Sequence, residues 1–352
     1  MKIVTVIGAR PQFIKAAALS AKIREFKDIE EIIVHTGQHY DPQMSKVFFQ
    51  ELKIPTPKYR LDAGGKSQGA MTGYLLEEIE TILLDELPDY VLVYGDTNST
   101  LAGALAASKL HIPLVHVEAG LRSHNMKMPE EVNRIITDRL SNHLFCPTES
   151  AFENLVAEGY KQFDVNFRVV GDIMFDVSLM FQKFLPEETP YKAPYILSTI
   201  HRAENTDNQE NLTLIIDQLN IIAEEIQIVL PIHPRTKIAI QELNIELGDN
   251  LIVRDPLSYL DFMHHLKFCE FVFSDSGGVQ KEAYFMRKNC FVLRNETEWV
   301  ELIQSRNNIL VPLTKNALIQ AYEDRGNLNQ DFDFPFYGDG DTSDEIIKHL
   351  NQ

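Results

Sequence analysis

The sequence predicts an α/β protein of two doubly wound lobes facing a cleft, and three observations lead there. Short, apolar, β-branched runs bounded by turn residues alternate with helical patterns, as buried parallel strands joined by crossover helices do. The alternation lapses near residue 170 and then begins again. At 352 residues the chain is too long for one ordinary core and suits two.

In the first half, Ile3 to Ile7, Ile32 to His35, Tyr90 to Tyr94, Leu114 to Val117 and Leu144 to Pro147 read as strands. Between them Ala16 to Phe26, Gln68 to Asp85 and Ala102 to Leu110 carry helical periodicity. The second half has strands at Tyr195 to Thr199, Ile228 to Ile232, Leu251 to Val253, Phe271 to Ser274 and Cys290 to Leu293. The boundary is expected between residues 168 and 178, giving a first lobe of residues 1–170 and a second of 171–342. Asp331 to Thr342 reads as a structured turn before a closing helix over 343–352, which Ser343 can cap with Asp344 and Glu345 in its first turn.

Composition narrows the function. A formal charge of −18, from 33 basic and 51 acidic residues, argues against a nucleic-acid partner, because binding a phosphate backbone needs a basic surface. A small anion is still compatible, since a few cations and a helix N-terminus can hold phosphate on an acidic molecule. Cys146, Cys269 and Cys290 are too widely spaced for a disulfide framework or a paired-cysteine zinc site, and a reducing cytoplasm fits them. The first residues form a strand with no apolar signal core before it, and no apolar run reaches the roughly eighteen residues needed to cross a bilayer, so neither secretion nor membrane insertion is expected.

Three carboxylates sit where loops should follow strands: Asp96 in Gly95-Asp96-Thr97, Glu118 in His116-Val117-Glu118-Ala119-Gly120-Leu121-Arg122, and Glu130 in Pro129-Glu130-Glu131-Val132-Asn133-Arg134. Ligands of open α/β sheets bind outside the carboxyl ends of the strands, so acids there can act as base and acid on a substrate. The bland alternatives are that Asp96 caps a helix and that Glu131 is a solvated first-turn residue. Arg10 and Lys15 open a helix after the first strand and can hold phosphate; the segment lacks the glycines of a dinucleotide fingerprint, so no nicotinamide or flavin is expected.

The second half repeats the logic. Asp275-Ser276-Gly277-Gly278-Val279-Gln280-Lys281-Glu282 ends a strand, exposes backbone N–H groups at Ser276, Gly277 and Gly278 to seat a phosphate, and places Glu282 one turn on, where a carboxylate can accept from two ribose hydroxyls. Asp275 or Ser276 can alternatively be only a cap. His201 and Arg202, at another strand end, can neutralise a departing diphosphate, and His233 is a further binding candidate that a structural role explains equally well. His264-His265 has no acidic ligand at metal spacing, so no metal is expected.

Taken in order, Gly8-Ala9-Arg10-Pro11, Gly95-Asp96-Thr97, His116 to Arg122, Pro129 to Arg134, His201-Arg202, Asp275 to Glu282 and Tyr337-Gly338-Asp339-Gly340 resemble the non-hydrolysing UDP-N-acetylglucosamine 2-epimerase family over nearly the whole chain. The resemblance implies two Rossmann-like lobes of the kind found in GT-B nucleotide-sugar glycosyltransferases, with UDP held mainly by the second lobe and the C-terminal helix 343–352 joining the first. It implies that Ser276, Gly277 and Glu282 bind diphosphate and ribose, that Arg10 and His201 contact phosphate, and that Asp96, Glu118 and Glu130 handle protons at the sugar. Together with the residues read above, the expected catalytic set is Asp96, Glu118, Glu130 and His201, and the expected substrate-binding set is Arg10, Lys15, Arg134, Arg202, His233, Ser276, Gly277, Gly278 and Glu282. It further implies a homodimer without cofactor, making precursors of bacterial surface polysaccharides. A UDP-sugar-dependent glycosyltransferase and a hydrolysing 2-epimerase are the alternatives.

Where the chain departs from the usual pattern it is similar to the branch acting on UDP-2,3-diacetamido-2,3-dideoxyglucuronate (UDP-GlcNAc3NAcA). The departures are Gln12 for a glutamate, Ala203-Glu204-Asn205 after His201-Arg202, a short loop Ser123 to Met128, and Glu296 to Glu301. On this reading Gln12 takes one negative charge away from a substrate with its own C6 carboxylate, and His124 or Lys127 can add a positive one. Gln38-His39 and Met44 resemble part of the segment by which some bacterial members bind a second UDP-GlcNAc as activator, but the arginine expected in the helix after residue 65 is missing.

Overall fold

The computed structural model describes residues 1–38 and 54–351. The chain divides into two compact units, Met1–Met180 with Pro335–Gln352, and Phe181–Phe334.

In the first unit, strands β1 (Lys2–Ile7), β2 (Glu30–His35), β3 (Tyr59–Arg60), β4 (Tyr90–Tyr94), β5 (Leu114–Val117), β6 (His143–Cys146) and β7 (Asn166–Val169) form one parallel sheet among the described residues, in the order β3-β2-β1-β4-β5-β6-β7. Alternation along the strands decides which helix each face covers. Val4, Val6, Ile32, Val34, Val91 and Val93 share one face and pack against Leu75, Ile79, Ile82 and Leu83, the apolar stripe of helix Gln68–Glu86. Each such buried side chain stabilises the fold by about 1.5–3 kcal/mol.

In the second unit β8 (Tyr195–Thr199), β9 (Gln227–Pro231), β10 (Leu251–Arg254), β11 (Val272–Ser274), β12 (Cys290–Val292) and β13 (Asn308–Leu310) form a parallel sheet in the order β10-β9-β8-β11-β12-β13. Ile215, Ile216, Leu219 and Ile222 of helix Gln209–Ala223 pack with Ile196, Ile228, Leu230 and Phe273 of this sheet.

Two helices of the first unit begin one to two turns before their apolar periodicity. Helix Arg10–Ile23 starts at Arg10 because Pro11 presets the first turn and Gln12 Oε1 accepts from the amides of Gly8 and Ala9 just before it. Helix Asn98–Lys109 starts at Asn98 because Thr97 accepts from Thr100 N at 3.2 Å while Thr100 Oγ1 accepts from Thr97 N at 3.2 Å.

The division into units falls beyond the expected 170 and before the expected 342, because residues 171–180 are bound to the returning tail. Asp172 N donates to Tyr337 O at 2.9 Å. At the crossing, a Cβ on Gly171 would lie 2.8 Å from Tyr337 O and one on Gly338 3.0 Å from Gly171 Cα, and both residues hold positive φ, so both positions need glycine. The closing helix runs Thr342–Leu350, and its cap is a correction to the expected Ser343: Asp176, on helix Ile173–Gln182, accepts from Thr342 N at 3.1 Å and Ser343 N at 2.7 Å. Ile346 and Ile347 of this helix are fully buried, Lys22 pairs with Asp344 at 2.6 Å, and the His349 ring meets His143 and Phe145 edge-on. No helix among the described residues is long and apolar enough to cross a membrane.

Candidate active site

Strand order reverses between β1 and β4 in the first sheet and between β8 and β11 in the second. Four of the sequence-selected segments follow those four strands: residues 8–15 follow β1, Gly95-Asp96 follows β4, His201-Arg202 follows β8 and Asp275 to Glu282 follows β11; His116 to Arg122 runs out of β5, Pro129 to Arg134 opens the helix after that loop, and Tyr337 to Gly340 lies in the returning tail. Each unit therefore offers candidate side chains at a topological switch point, where the flanking crossovers diverge and leave a crevice.

At the first switch point two acids are coupled to two cations. Lys15 Nζ is hydrogen-bonded to Glu118 Oε2, with both side chains about nine-tenths buried. Arg134 Nη2 lies 2.5 Å from Asp96 Oδ2 and its Nη1 3.4 Å from Glu131. Burial pushes the Asp96 carboxyl above its ordinary value; the Arg134 and Lys15 charges pull it down, while Glu118 and Glu130 add to the rise. Five of the expected residues thus share one electrostatic site. Lys15, expected to hold phosphate, is paired with Glu118. Asp96 is not the helix cap, since Thr97 is, and Asn133 Nδ2 holds its backbone oxygen at 2.9 Å. Arg10 is half-buried as the first residue of its helix.

Gln12 is only 2% exposed. Its Oε1 accepts from Gly8 N and Ala9 N at 2.8 and 3.1 Å, and its Nε2 donates to Tyr94 O and Thr100 Oγ1, both at 2.9 Å. The expectation that Gln12 lowers the charge facing a substrate is corrected: it ties the loop after β1 to the end of β4, a task that needs an amide donor toward Tyr94 O.

Glu118 holds φ at +72°, a left-handed conformation that costs a side chain with a Cβ about 1–2 kcal/mol. Its amide and that of Ala119 share Phe145 O at 3.1 and 3.0 Å. Two residues on, a Cβ at Gly120 would lie 2.3 Å from Ala151 O, so the loop can pass only as glycine. Beneath the loop His116 is fully buried, with Nδ1 2.7 Å from Asp138 Oδ1 and Nε2 2.7 Å from Gly95 O. Asp138 Oδ2 accepts from Gly120 N at 3.1 Å and Arg122 Nη1 at 2.7 Å, and Arg122 forks onto Glu158 at 2.6 and 2.7 Å. Burial alone would raise the Asp138 carboxyl, but the His116 hydrogen bond and the His116 and Arg122 charges outweigh it and hold it below its ordinary range.

The adjacent glutamates of helix Pro129–Leu140 divide their work. Glu130 is exposed in the first turn. Glu131 is 1% exposed, not solvated: it accepts from Ser123 N at 2.9 Å, Ser123 Oγ at 3.0 Å and His124 N at 2.8 Å. That carboxylate pins the short loop and leaves His124, Met126 and Lys127 exposed.

In the second unit Asp275 is fully buried and anchors the segment after β8, not the helix that follows it. It accepts from His201 N at 3.1 Å, Arg202 N at 3.1 Å and Asn205 Nδ2 at 2.9 Å, and its Oδ1 lies 3.2 Å from His201 Nδ1. The His201 side chain stays 54% exposed; Arg202 sits loosely, 3.7 Å from Glu204. Ser276 precedes helix Gly277–Phe285 with no side-chain cap, Gly278 is exposed, and Glu282 is 6% exposed. Trp299, in the segment 296–301 singled out as a departure, donates Nε1 to Gly277 O at 3.0 Å and lies under Lys281 Nζ at 3.9 Å. His233 caps helix Pro234–Glu242, accepting from Arg235 N at 3.2 Å, and with His201, Thr206, Asp207 and Arg235 it lines a cavity of about 520 Å³.

Sequence reasoning missed His116, Asp138 and Glu131. A histidine within the apolar strand Leu114–Val117 and acids at buried helix positions were the available signals. His39 and Met44 lie outside the described residues; Gln38 accepts from Ser99 Oγ at 2.7 Å.

Comparison with known proteins follows the same lines. A family model described as UDP-N-acetylglucosamine 2-epimerase matches residues 21–351. The chain is 49% identical over 354 residues to the UDP-2,3-diacetamido-2,3-dideoxy-D-glucuronate 2-epimerase of Pseudomonas aeruginosa, covering 99% of both chains. It superposes with a TM-score of 0.91 on the Methanocaldococcus jannaschii UDP-GlcNAc 2-epimerase in complex with UDP-GlcNAc and UDP, at 40% identity and covering 100% of this chain and 99% of that one. A glycosyltransferase from Rickettsia africae, at 13% identity and a TM-score of 0.57 over 99% of this chain and 97% of that one, shares the fold alone.

Proposed function

Because the chain belongs to the UDP-N-acetylglucosamine 2-epimerase family, a family of isomerases, we propose that it inverts C2 of a UDP-2-acetamido sugar by eliminating UDP and adding it back. The C2 proton is not next to a carbonyl, so its removal without oxidation needs a leaving group at C1, and UDP is that group. Elimination leaves a 2-acetamidoglucal; re-addition of UDP with protonation from the other face gives the epimer.

The observation that carries this reading is the pair of acid–cation couples at the first switch point. The reaction needs one group to take a proton and another to deliver one. Glu118 beside an ammonium suits the first, and Asp96, pushed above its ordinary value chiefly by burial, suits the second. Glu130, exposed and close enough to Asp96 to help raise it, takes part in the same transfer, with Arg134 orienting Asp96. His201, Arg202 and Arg10 offset charge gathering on the departing UDP, and His233 lines the cavity beside His201. Ser276, Gly277 and Gly278 hold the diphosphate on an uncapped helix start, and Glu282 holds the ribose.

The favoured substrate is UDP-GlcNAc3NAcA, giving UDP-ManNAc3NAcA, over UDP-GlcNAc, giving UDP-ManNAc. The name of the Pseudomonas aeruginosa relative supports that order, and so does the pinned loop that leaves His124 and Lys127 exposed. The enzyme works as a cytoplasmic homodimer without cofactor. Incubation with each sugar in deuterated water tests the reading: deuterium should enter C2, with a higher kcat/KM for UDP-GlcNAc3NAcA. No exchange with either sugar removes the reaction, and a higher kcat/KM for UDP-GlcNAc reverses the substrate order.

A further inference from the structure

We infer that His116 and Asp138 are positioning residues for this reaction: one buried imidazole–carboxylate pair keys the segments carrying Asp96, Glu118 and Glu130 to one another. The inference rests on the epimerase reading above.

His116 stands between two acceptors. Gly95 O, 2.7 Å from Nε2, is a carbonyl and can only accept, so Nε2 carries a proton and the bond fixes the peptide immediately before Asp96. Nδ1 faces Asp138 Oδ1 at 2.7 Å. The other oxygen of Asp138 accepts from Gly120 N and Arg122 Nη1, which closes the loop in which Glu118 holds its left-handed backbone. Asp138 itself stands on helix Pro129–Leu140, whose first turn carries Glu130 and whose next carries Arg134, the partner of Asp96. A shift of this carboxylate therefore moves all three acid-bearing segments.

Both side chains are fully buried, so neither meets the substrate, and any effect on turnover passes through the residues they hold. Strain at Glu118 makes this support necessary: a glutamate at φ +72° relaxes unless its surroundings over-determine it. Misplacing a reacting group by about 1 Å can cost roughly 10²-fold in rate.

Paired amide substitutions separate positioning from stability. His116→Asn keeps a donor near the Nδ1 position, toward Asp138, and gives up the Gly95 contact; His116→Gln keeps a donor near Nε2, toward Gly95 O, and gives up Asp138. Wild type and variants are compared for C2 deuterium exchange with UDP-GlcNAc and UDP-GlcNAc3NAcA, for UDP binding and for folded fraction. His116→Asn, which gives up Gly95, and His116→Gln, which gives up Asp138, should each lower kcat on the order of 10²-fold with KM within about threefold, as should Asp138→Asn, each beyond what its folded fraction accounts for. Losses that only follow the folded fraction, or wild-type kcat in either His116 variant, overturn the inference while leaving the epimerase reading intact. A wild-type chain that exchanges no deuterium with either sugar removes both.

Discussion

The two units place their functional residues at the same topological point and equip it in opposite ways. After β1 and β4 the acids are coupled to cations, Lys15 with Glu118, both about nine-tenths buried, and Arg134 with Asp96, whose side chain is 29% exposed, and a fully buried imidazole and carboxylate support them. After β8 and β11 the buried group is Asp275, which holds backbone, while His201 stays half exposed and the start of helix Gly277–Phe285 has no side-chain cap. Moving a proton to and from carbon needs groups fixed within tenths of an ångström and shielded from bulk water. Holding a diphosphate needs donors, which backbone N–H groups supply without side-chain support. On the proposed reading one topology serves chemistry in one sheet and recognition in the other, and the contrast can be broken at either end.

The largest effect is expected from Glu118→Gln, which keeps the side-chain volume and removes the ionisable group. C2 exchange should fall on the order of 10²- to 10⁴-fold while UDP binding, measured by calorimetry, stays as in wild type. Exchange at the wild-type rate would make Glu118 structural. Lys15→Met should come next, acting on the fold as well as on the chemistry. It leaves Glu118 buried without its counter-ion, at a cost of about 3–5 kcal/mol in urea unfolding. An unchanged midpoint would mean that the couple is solvated and the first switch point is no drier than the second.

His201→Ala sharpens the comparison from the recognition side. It should lower kcat by roughly 10²-fold or less and move KM little, because charge on the leaving UDP builds toward the transition state. A higher KM with unchanged kcat would make His201 only a binding contact. The smallest effect concerns pH. Burial first, then the neighbouring His349 and Arg168 charges, hold His143 below its ordinary 6.5, and burial with Arg168 does the same for His349. Both are thus neutral in the folded unit, in contact with each other and, through His143, with Tyr90. Their contribution is complete above about pH 6.5 and is lost as pH falls from there through the lowered folded values. Amide protection of helix Thr342–Leu350 should weaken below that pH, and His349→Phe should flatten the dependence; a pH-independent profile in wild type would exclude the histidines as its cause.

The fold class, two parallel α/β sheets shared with nucleotide-sugar glycosyltransferases, was legible because central strands such as Tyr90–Tyr94 are short, β-branched and bounded by turns. The edge strands β3 and β13, of two and three residues, carry too little pattern to register. At the site, loop position exposed Asp96, Glu118 and His201, since a charged residue just beyond a buried strand has few structural explanations. Roles that depend on a distant partner were invisible: Glu131 is one more first-turn acid until Ser123 and His124 fold onto it, and Asp138 is one more helix acid until His116 arrives from 22 residues earlier. Gln12 was misassigned for the same reason, since its partner Tyr94 O lies 82 residues away.

The carboxylate of Asp176 that receives Thr342 N and Ser343 N has a consequence for biosynthesis. Residues 335–351 belong to the first unit yet leave the ribosome after the whole of the second. The second unit, continuous from Phe181 to Phe334, can close while still tethered; the first must wait with the surface that Tyr337, Ile346 and Ile347 will cover open to solvent. Order of synthesis and order of completion are thereby reversed. Nascent chains halted just before residue 335 should accordingly carry a protease-resistant second unit and a first unit that chaperones still recognise, and resistance appearing in both at once would show that the tail is dispensable for closure.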